Sequence, residues 1–298
     1  MKIDLVFSGG GIRGYALIGA IKALEEKGYS FGRVAGTSAG ACLAAFVAAG
    51  YKGEEIQQMM DEVDLQKFLD TRKNFLPSMI SKWFLLYWRL GLYRGLILEQ
   101  WIEAHLQKKG VRVFGDLPEG VLRVVASDLT NSRMMVIPDD LNRYGYDPQE
   151  FSVAKAVRMS AGIPYFFEPA KLEQVGNKRS RQPIIVDGGV LSNFPIWLFE
   201  QVRKEHKRPL LGIQLSPKLE NRPPNKIKNA IDLFKALFET MMDAHDLRYI
   251  SRSVEKNIIF IPVENVLSRD FEVTKEKRQE VVNVGYAKAT EFLKTWSF

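Results

Sequence analysis

Cysteine and histidine are scarce in this sequence, and their scarcity excludes several kinds of site. Cys42 is the single cysteine among 298 residues, so the chain can form no internal disulfide. A reducing, cytoplasmic setting is therefore expected. The three histidines include no pair four residues apart, and no cysteine cluster is present, so we expect neither a zinc site nor another bound cofactor.

Long uncharged hydrophobic runs are missing too. No stretch approaches the ~18 apolar residues that a membrane-spanning helix needs. The apolar stretch at the N-terminus gives way to glycines from Gly9 onward, which is too early for the core of a signal peptide. We therefore expect a soluble protein, either free in the cytoplasm or peripheral at a membrane.

Acidic residues are outnumbered, and the formal net charge is +7. Such an excess favours anionic partners, although an ordinary solvated surface is the alternative. No zinc-finger spacing or RNA-binding aromatic strand accompanies the charge, so nucleic acid is not expected. A membrane surface that carries anionic lipid is the partner that the charge predicts.

Strand and helix patterns alternate along much of the chain. The order strand, glycine turn, helix, strand, turn, helix over the first fifty residues is typical of a parallel, doubly wound α/β sheet. Further strands are predicted at residues 122–127, 133–137, 183–187, 210–215 and 258–262. Further helices are predicted at residues 151–160, 196–204, 227–254 and 275–295.

The length allows one large core, and nothing forces a division, so residues 1–298 are predicted to form a single domain. Residues 54–110 show helical patterns without a convincing strand and are predicted to be a helical insertion. Within them, residues 79–90 concentrate apolar and aromatic side chains. Such a segment is typical of a lid over a lipid-binding cleft or of an interfacial anchor, and equally of an ordinary core helix.

The segment Gly36-Thr37-Ser38-Ala39-Gly40 lies between an apolar strand and an apolar helix. That context is typical of a nucleophile elbow, in which a sharp turn exposes a serine hydroxyl close to backbone N–H groups. Gly36 and Gly40 permit the turn. The alternative is a serine that caps a buried helix.

A second glycine motif, Gly9-Gly10-Gly11-Ile12-Arg13-Gly14, also follows a strand and opens a helix. Its spacing fits a dinucleotide-binding loop, but that function needs an acidic residue about 20 positions later, and no Asp or Glu occurs between residues 27 and 53. We therefore predict that the amides of Gly9, Gly10 and Gly11 form an oxyanion hole, with Arg13 supporting the positive field. A tight packing turn is the alternative.

Asp187 ends an apolar strand and precedes Gly188 and Gly189, at the place where open α/β sheets deliver catalytic groups. It is predicted to accept the proton of Ser38, with a turn-capping role as the alternative. A triad would need His105, His206 or His245, and each lies in a predicted helix or a charged segment. A dyad is therefore favoured.

Four blocks occur in a fixed order and together resemble the patatin-like phospholipase family: residues 9–14, 36–40, 160–164 (Ser-Ala-Gly-Ile-Pro) and 187–189. The match runs from the first strand to at least Asp187, and the closing helix with Gly285 is similar to the C-terminal end of the family. One departure is Gly189, where many relatives have alanine. No calcium-binding loop is visible.

The resemblance implies a three-layer α/β/α fold with a mostly parallel central sheet, and a Ser-Asp dyad that works without histidine. It implies Ser38 as nucleophile, Asp187 as proton acceptor and calcium-independent hydrolysis of fatty-acyl esters of phospholipids or lysophospholipids through an acyl-enzyme. Three rivals stay open: a non-catalytic lipid-binding or regulatory protein, an acyltransferase on the same fold, and, more remotely, a dinucleotide-binding enzyme.

Overall fold

The structure is a computed structural model. It describes residues 1–70, 85–172, 182–200, 208–215, 227–228, 233, 236–237, 240–241, 255–263 and 273–296. Its strands are β1 Lys2–Phe7, β2 Ser30–Thr37, β3 Gly91–Tyr93, β4 Leu122–Asp128, β5 Arg133–Ile137, β6 Tyr165–Phe167, β7 Ala170–Lys171, β8 Ile184–Asp187, β9 Leu210–Gln214 and β10 Ile258–Phe260. Its helices include α1 Tyr15–Glu26, α2 Ala39–Ala48, α3 Gly53–Glu62, α4 Leu96–Lys108, α5 Val153–Ser160 and α6 Lys275–Leu293. Residues 85–89 and 197–200 are helical as well.

The central sheet is mixed and mostly parallel. Strands β10, β9, β1, β2 and β4 follow one another as parallel neighbours. Strands β5 and β8 both pair with β4 in the antiparallel sense, and β7 extends the sheet beyond β8. A parallel centre with an antiparallel edge is common in sheets covered by helices.

Strands β2 and β8 meet end to end along one edge of β4. Val124 of β4 pairs with Gly36 of β2 and with β5, whereas Ala126 pairs with Asp187 of β8 and again with β5. Because β5 occupies one side of β4 at both positions, β2 and β8 must share the other side. Strand β2 runs parallel to β4 and β8 runs antiparallel, so their carboxyl ends face each other.

Alternate residues of the strands supply two hydrophobic cores. In β1, Leu5 and Phe7 belong to the larger core with α1 and α2, whereas Val6 points to the opposite face and packs with Phe194 and Phe199. This alternation is the period-two pattern of a strand buried on both faces. Helical layers on the two faces of a mostly parallel sheet confirm the predicted α/β/α architecture.

Helices α1 and α6 cross at two glycines. A Cβ atom on Gly19 would lie 1.9 Å from the carbonyl oxygen of Val282, and one on Gly285 would lie 1.8 Å from that of Ala16. Neither distance leaves room for a side chain. The closing helix is thereby held directly against the helix that follows the first glycine loop.

The segment from residue 54 to 110 differs from expectation in one respect. Gly91–Tyr93 forms a short strand that pairs in parallel with β6, so the expectation that this segment contains no strand is wrong. Three residues are too few to show alternation, and their partner lies more than seventy positions away. The insertion itself stays a prediction. Residues 79–84 of the apolar segment, and most of the helix predicted at 227–254, lie outside the described residues.

Candidate active site

Ser38 occupies a strained turn between β2 and α2. Its backbone angles are φ 55° and ψ −123°, a left-handed conformation that a residue with a side chain adopts only at a cost of about 1 to 3 kcal/mol. Strain of this kind persists where the surrounding structure enforces it. The residue is 6% exposed, and it lines a cavity described below.

The small residues around Ser38 allow the turn. A Cβ atom on Gly36 would lie 2.4 Å from the carbonyl carbon of Gly40, and one on Gly40 would lie 2.4 Å from the carbonyl oxygen of Ser8. A Cβ atom on Gly14 would meet that of Ala39 at 3.2 Å. The strand, the turn and the start of α2 therefore pack too closely for larger residues, as the spacing of the motif predicts.

Asp187 lies within hydrogen-bonding distance of Ser38. The Ser38 hydroxyl donates to Oδ2 of Asp187 at 2.7 Å, and Oδ1 of the same carboxylate accepts the backbone N–H of Gly189 at 2.7 Å. The contact follows from the meeting of β2 and β8, since Asp187 ends β8 and Ser38 directly follows β2. A Cβ atom on Gly188 would lie 2.2 Å from the carbonyl oxygen of Val125, so glycine is required at this junction.

The carboxyl group of Asp187 has a raised pKa. It is 3% exposed, and burial raises its pKa from 3.8 to about 6, against the opposing effect of its hydrogen bonds with Ser38 and Gly189. Burial raises the pKa because a low-dielectric surrounding disfavours the charged form. A carboxylate with a raised pKa is a stronger base than an ordinary aspartate, and it is still ionised at neutral pH.

The first glycine loop touches Ser38 but does not offer all of its amides. The N–H of Gly9 donates to the carbonyl oxygen of Asn193 at 2.9 Å. The amides of Gly10 and Gly11 have no acceptor within the described part of the chain, and Gly11 lines the same cavity as Ser38. Gly10 and Gly11 are therefore the amides left to receive an oxyanion.

The side chain of Arg13 folds back onto this loop. Its Nε donates to the carbonyl oxygen of Gly10 at 3.5 Å, at the long end of the hydrogen-bond range. That the positive charge of Arg13 helps to stabilise the oxyanion stays a prediction.

Ser160 is a neighbour of Ser38 that the sequence did not single out by role. Its hydroxyl oxygen accepts the N–H of Ser38 at 2.8 Å and donates to the carbonyl oxygen of Val125 at 2.6 Å. The side chain is fully buried at the end of α5. The only sequence signal was its place in the block of residues 160–164, and nothing in that block predicts this contact.

A deep apolar cavity opens beside the Ser38 hydroxyl. Its volume is about 120 Å³, which is smaller than the ~300 to 1,000 Å³ typical of sites for whole drug-sized ligands. Side chains from α1, α2, α4 and β6 line it, among them Ile18, Leu43, Leu98, Trp101, Ile102 and Phe167. A cavity of this composition suits an acyl chain and offers little to a polar ligand.

The described histidine does not join the pair. His105 lies in α4, where its Nδ1 is 2.8 Å from the carbonyl oxygen of Trp101, and its ring packs on that of Trp101. His206 and His245 lie outside the described residues. No group of three or more His, Cys, Asp or Glu side chains that could hold a metal occurs among the residues described.

Comparison with known proteins gives a family match. The model of the family described as "Patatin-like phospholipase" matches residues 5–199. The protein YqhO of Bacillus subtilis (strain 168) is 54% identical over 298 residues, and the alignment covers 100% of both chains. Lysophospholipase NTE1 of the yeast Meyerozyma guilliermondii is 22% identical over 99% of this chain, which spans 19% of that longer protein.

Solved structures share the fold at low sequence identity. VipD from Legionella pneumophila aligns with a TM-score of 0.58 and 19% identity over 98% of this chain and 67% of its own. The type III effector ExoU aligns with a TM-score of 0.51 and 15% identity over 98% of this chain and 53% of its own. No helix within the described residues has the length and hydrophobicity to cross a membrane.

Proposed function

The chain belongs to the patatin-like phospholipase family, and we propose that it cleaves fatty-acyl esters of phospholipids or lysophospholipids. In this proposal Ser38 and Asp187 form a catalytic dyad. Family membership by itself makes the chain a lipid ester hydrolase in general terms. The main support is the 2.7 Å hydrogen bond between the two side chains, beside an apolar cavity. The name of the yeast relative, a lysophospholipase, supports the substrate class.

Acylation begins when Oγ of Ser38 attacks the ester carbonyl carbon and its proton passes to Oδ2 of Asp187. The negative charge that develops on the carbonyl oxygen is stabilised by the amides of Gly10 and Gly11. When the tetrahedral intermediate collapses, the carbon–oxygen bond to the leaving alcohol breaks. Asp187 returns the proton to that alcohol, and the acyl group stays on Ser38.

Deacylation repeats these steps with water. Asp187 accepts a proton from a water molecule as its oxygen attacks the acyl carbon, and the proton then returns to Oγ of Ser38 as the fatty acid leaves. The raised pKa of Asp187 assists both halves, because a base with a pKa of about 6 lies closer to the operating pH than an ordinary aspartate does. The acyl chain occupies the apolar cavity while the head group stays outside.

A panel of phospholipids and lysophospholipids tests this function, with product analysis by mass spectrometry for the native protein and Ser38→Ala. We expect free fatty acid and the corresponding deacylated lipid from the native protein, also in the presence of a chelator, and none from Ser38→Ala. An added acceptor alcohol distinguishes a transferase, since a new acyl ester would then accumulate at the expense of fatty acid. Undiminished hydrolysis by Ser38→Ala would refute the proposal.

A further inference from the structure

Exposed apolar side chains cluster in two segments that adjoin residues lining the cavity. Most lie within residues 87–97, and one lies on β6. Their exposed fractions run from 39% for Leu90 to 75% for Tyr87. We call this set the aromatic rim: Tyr87, Trp88, Leu90, Leu96, Ile97 and Tyr165.

The pairing of β3 with β6 joins the two parts of the rim. Gly91 of β3 pairs with Tyr165 of β6, which places Leu90 beside Tyr165. Leu90 and Tyr165 have φ values of 61° and 62°, and large side chains rarely adopt this left-handed conformation. Because both side chains are exposed, neither gains burial free energy that would offset the cost of the strained backbone. Such strain is a reason to look for a function.

The rim is continuous with the cavity. Leu96 and Ile97 form the exposed first turn of α4, and the next residues of that helix, Leu98 and Trp101, line the cavity. Tyr165 is flanked by Ile163 and Phe167, which also line it. The same two segments therefore present apolar side chains outward to solvent and inward to the proposed acyl site.

Two arginines lie among the rim residues, and one carboxylate, that of Asp70, accepts the backbone N–H groups of Gly95, Leu96 and Ile97. Residues 85–98 contain no aspartate or glutamate, and they include Arg89 and Arg94, both exposed. Neither arginine forms an ion pair within the described part of the chain. Aromatic and aliphatic side chains flanked by arginines are typical of surfaces that bind at the head-group level of a membrane.

We propose that the aromatic rim docks the protein on a phospholipid bilayer and that Arg89 and Arg94 give it a preference for anionic lipid. This inference rests on the proposed function, because it identifies where a lipid substrate enters. A docked rim lets an acyl chain pass from the bilayer into the cavity without crossing water. A protein partner is disfavoured because the rim is contiguous with a cavity suited to an acyl chain.

Vesicle flotation in a catalytically inactive background tests the docking separately from catalysis. Ser38→Ala and Ser38→Ala with Tyr87→Ser and Trp88→Ser are mixed with phosphatidylglycerol or phosphatidylcholine vesicles. We expect Ser38→Ala to float with phosphatidylglycerol vesicles, more weakly with phosphatidylcholine, and the rim variant to bind at least tenfold less. Val284→Ser, which removes a similarly exposed apolar side chain from α6, is the matched control and should bind as the parent does.

Two further experiments test the role of the arginines and the activity on a water-soluble ester. Arg89→Gln with Arg94→Gln should remove the preference for phosphatidylglycerol and much of its salt dependence. With Ser38 intact, Tyr87→Ser with Trp88→Ser should hydrolyse a water-soluble short-chain ester within twofold of the native rate, because neither residue lines the cavity, while hydrolysis of vesicle lipid falls.

Two results would overturn the docking proposal. One is vesicle binding by the rim variant equal to that of Ser38→Ala. The other is a lower oligomeric state of the rim variant than of Ser38→Ala with no difference in vesicle binding, which would assign the rim to a second copy of the chain. Failure of the catalytic proposal has a different signature, since it would show as ester hydrolysis that survives Ser38→Ala.

Discussion

The hydroxyl oxygen of Ser160 accepts the backbone N–H of Ser38 at 2.8 Å, 122 positions away along the chain. This bond fixes the strained turn of Ser38 from the side, and the Ser160 hydroxyl is fixed in turn by its own bond to the carbonyl oxygen of Val125. It also engages the Ser38 amide, which is consistent with the proposal that the amides of Gly10 and Gly11 receive the oxyanion.

Removal of this hydroxyl should slow the reaction without weakening substrate binding. Ser160→Ala leaves the buried N–H of Ser38 without a partner, which costs about 1 to 3 kcal/mol. If that cost falls on the geometry of the nucleophile, kcat should decrease by roughly tenfold to hundredfold while KM changes little. Steady-state kinetics on a soluble ester measure both values.

Ser152→Ala provides the control for Ser160→Ala. Ser152 caps the other end of α5, where its hydroxyl accepts the N–H of Lys155, and it has no contact with Ser38. Loss of this cap should lower stability and leave kcat unchanged. Equal kinetic effects of the two substitutions would reduce Ser160 to a structural residue.

The activity should depend on pH through Asp187. Only the ionised carboxylate can accept the proton of Ser38, and its pKa is raised to about 6 by burial. The rate should therefore be independent of pH above about 7 and decrease tenfold per pH unit below about 5. A profile of kcat against pH tests this, and an inflection near 4 would show that the carboxyl behaves as an exposed aspartate does.

Asp187 should also reduce the stability of the fold. Its pKa is higher in the folded protein than in the unfolded chain, so its contribution to stability is favourable below pH 4 and is lost as the pH rises through about 6. At neutral pH the ionised, buried carboxylate costs on the order of 3 kcal/mol. Asp187→Asn should therefore abolish activity and raise the melting temperature at pH 7.5.

The contrasting variant is Asp128→Asn. Asp128 is as deeply buried, but its carboxylate accepts hydrogen bonds from the backbone and side chain of Asn131 and from Tyr144. Its replacement should lower the melting temperature. Thermal unfolding of both variants at pH 7.5 and pH 5 checks the prediction, and a lower melting temperature for Asp187→Asn at pH 7.5 would contradict it.

The cavity should set the preference for acyl chain length. Cys42 lies one helical turn beyond Ser38 in α2 and lines the cavity. Cys42→Phe fills part of this space, so we expect hydrolysis of long-chain esters to fall at least tenfold while that of a two- or four-carbon ester is retained. Rates on an ester series from short to long chains measure the effect, and a uniform loss would indicate a disturbed fold.

Ser38 and Asp187 could be predicted as a pair from the sequence because Ser38 directly follows an apolar strand and Asp187 ends another, each beside glycines, and the structure brings their side chains into contact. The steric requirement for those glycines was likewise readable, since close backbone approaches such as that of Gly36 to Gly40 admit no side chain. The parallel centre of the sheet followed from the alternation of strands and helices.

Other features depend on contacts between distant parts of the chain. The end-to-end meeting of β2 and β8 along β4 is a matter of strand pairing, which local patterns do not specify. The bond from Ser160 to Ser38 and the engagement of the Gly9 amide by Asn193 are likewise products of packing. The three-residue strand at Gly91–Tyr93 is too short to give a periodic signal and exists through its partner β6.

The most direct measurement is covalent labelling with a fluorophosphonate, followed by peptide mapping. Reaction requires a serine that is both activated and reachable from a cavity. We predict a single adduct on Ser38 in the native protein, none in Ser38→Ala, and strongly slowed labelling in Asp187→Asn. An unlabelled Ser38 in protein that hydrolyses lipid esters, or an adduct on a different serine, would contradict the assignment of the dyad.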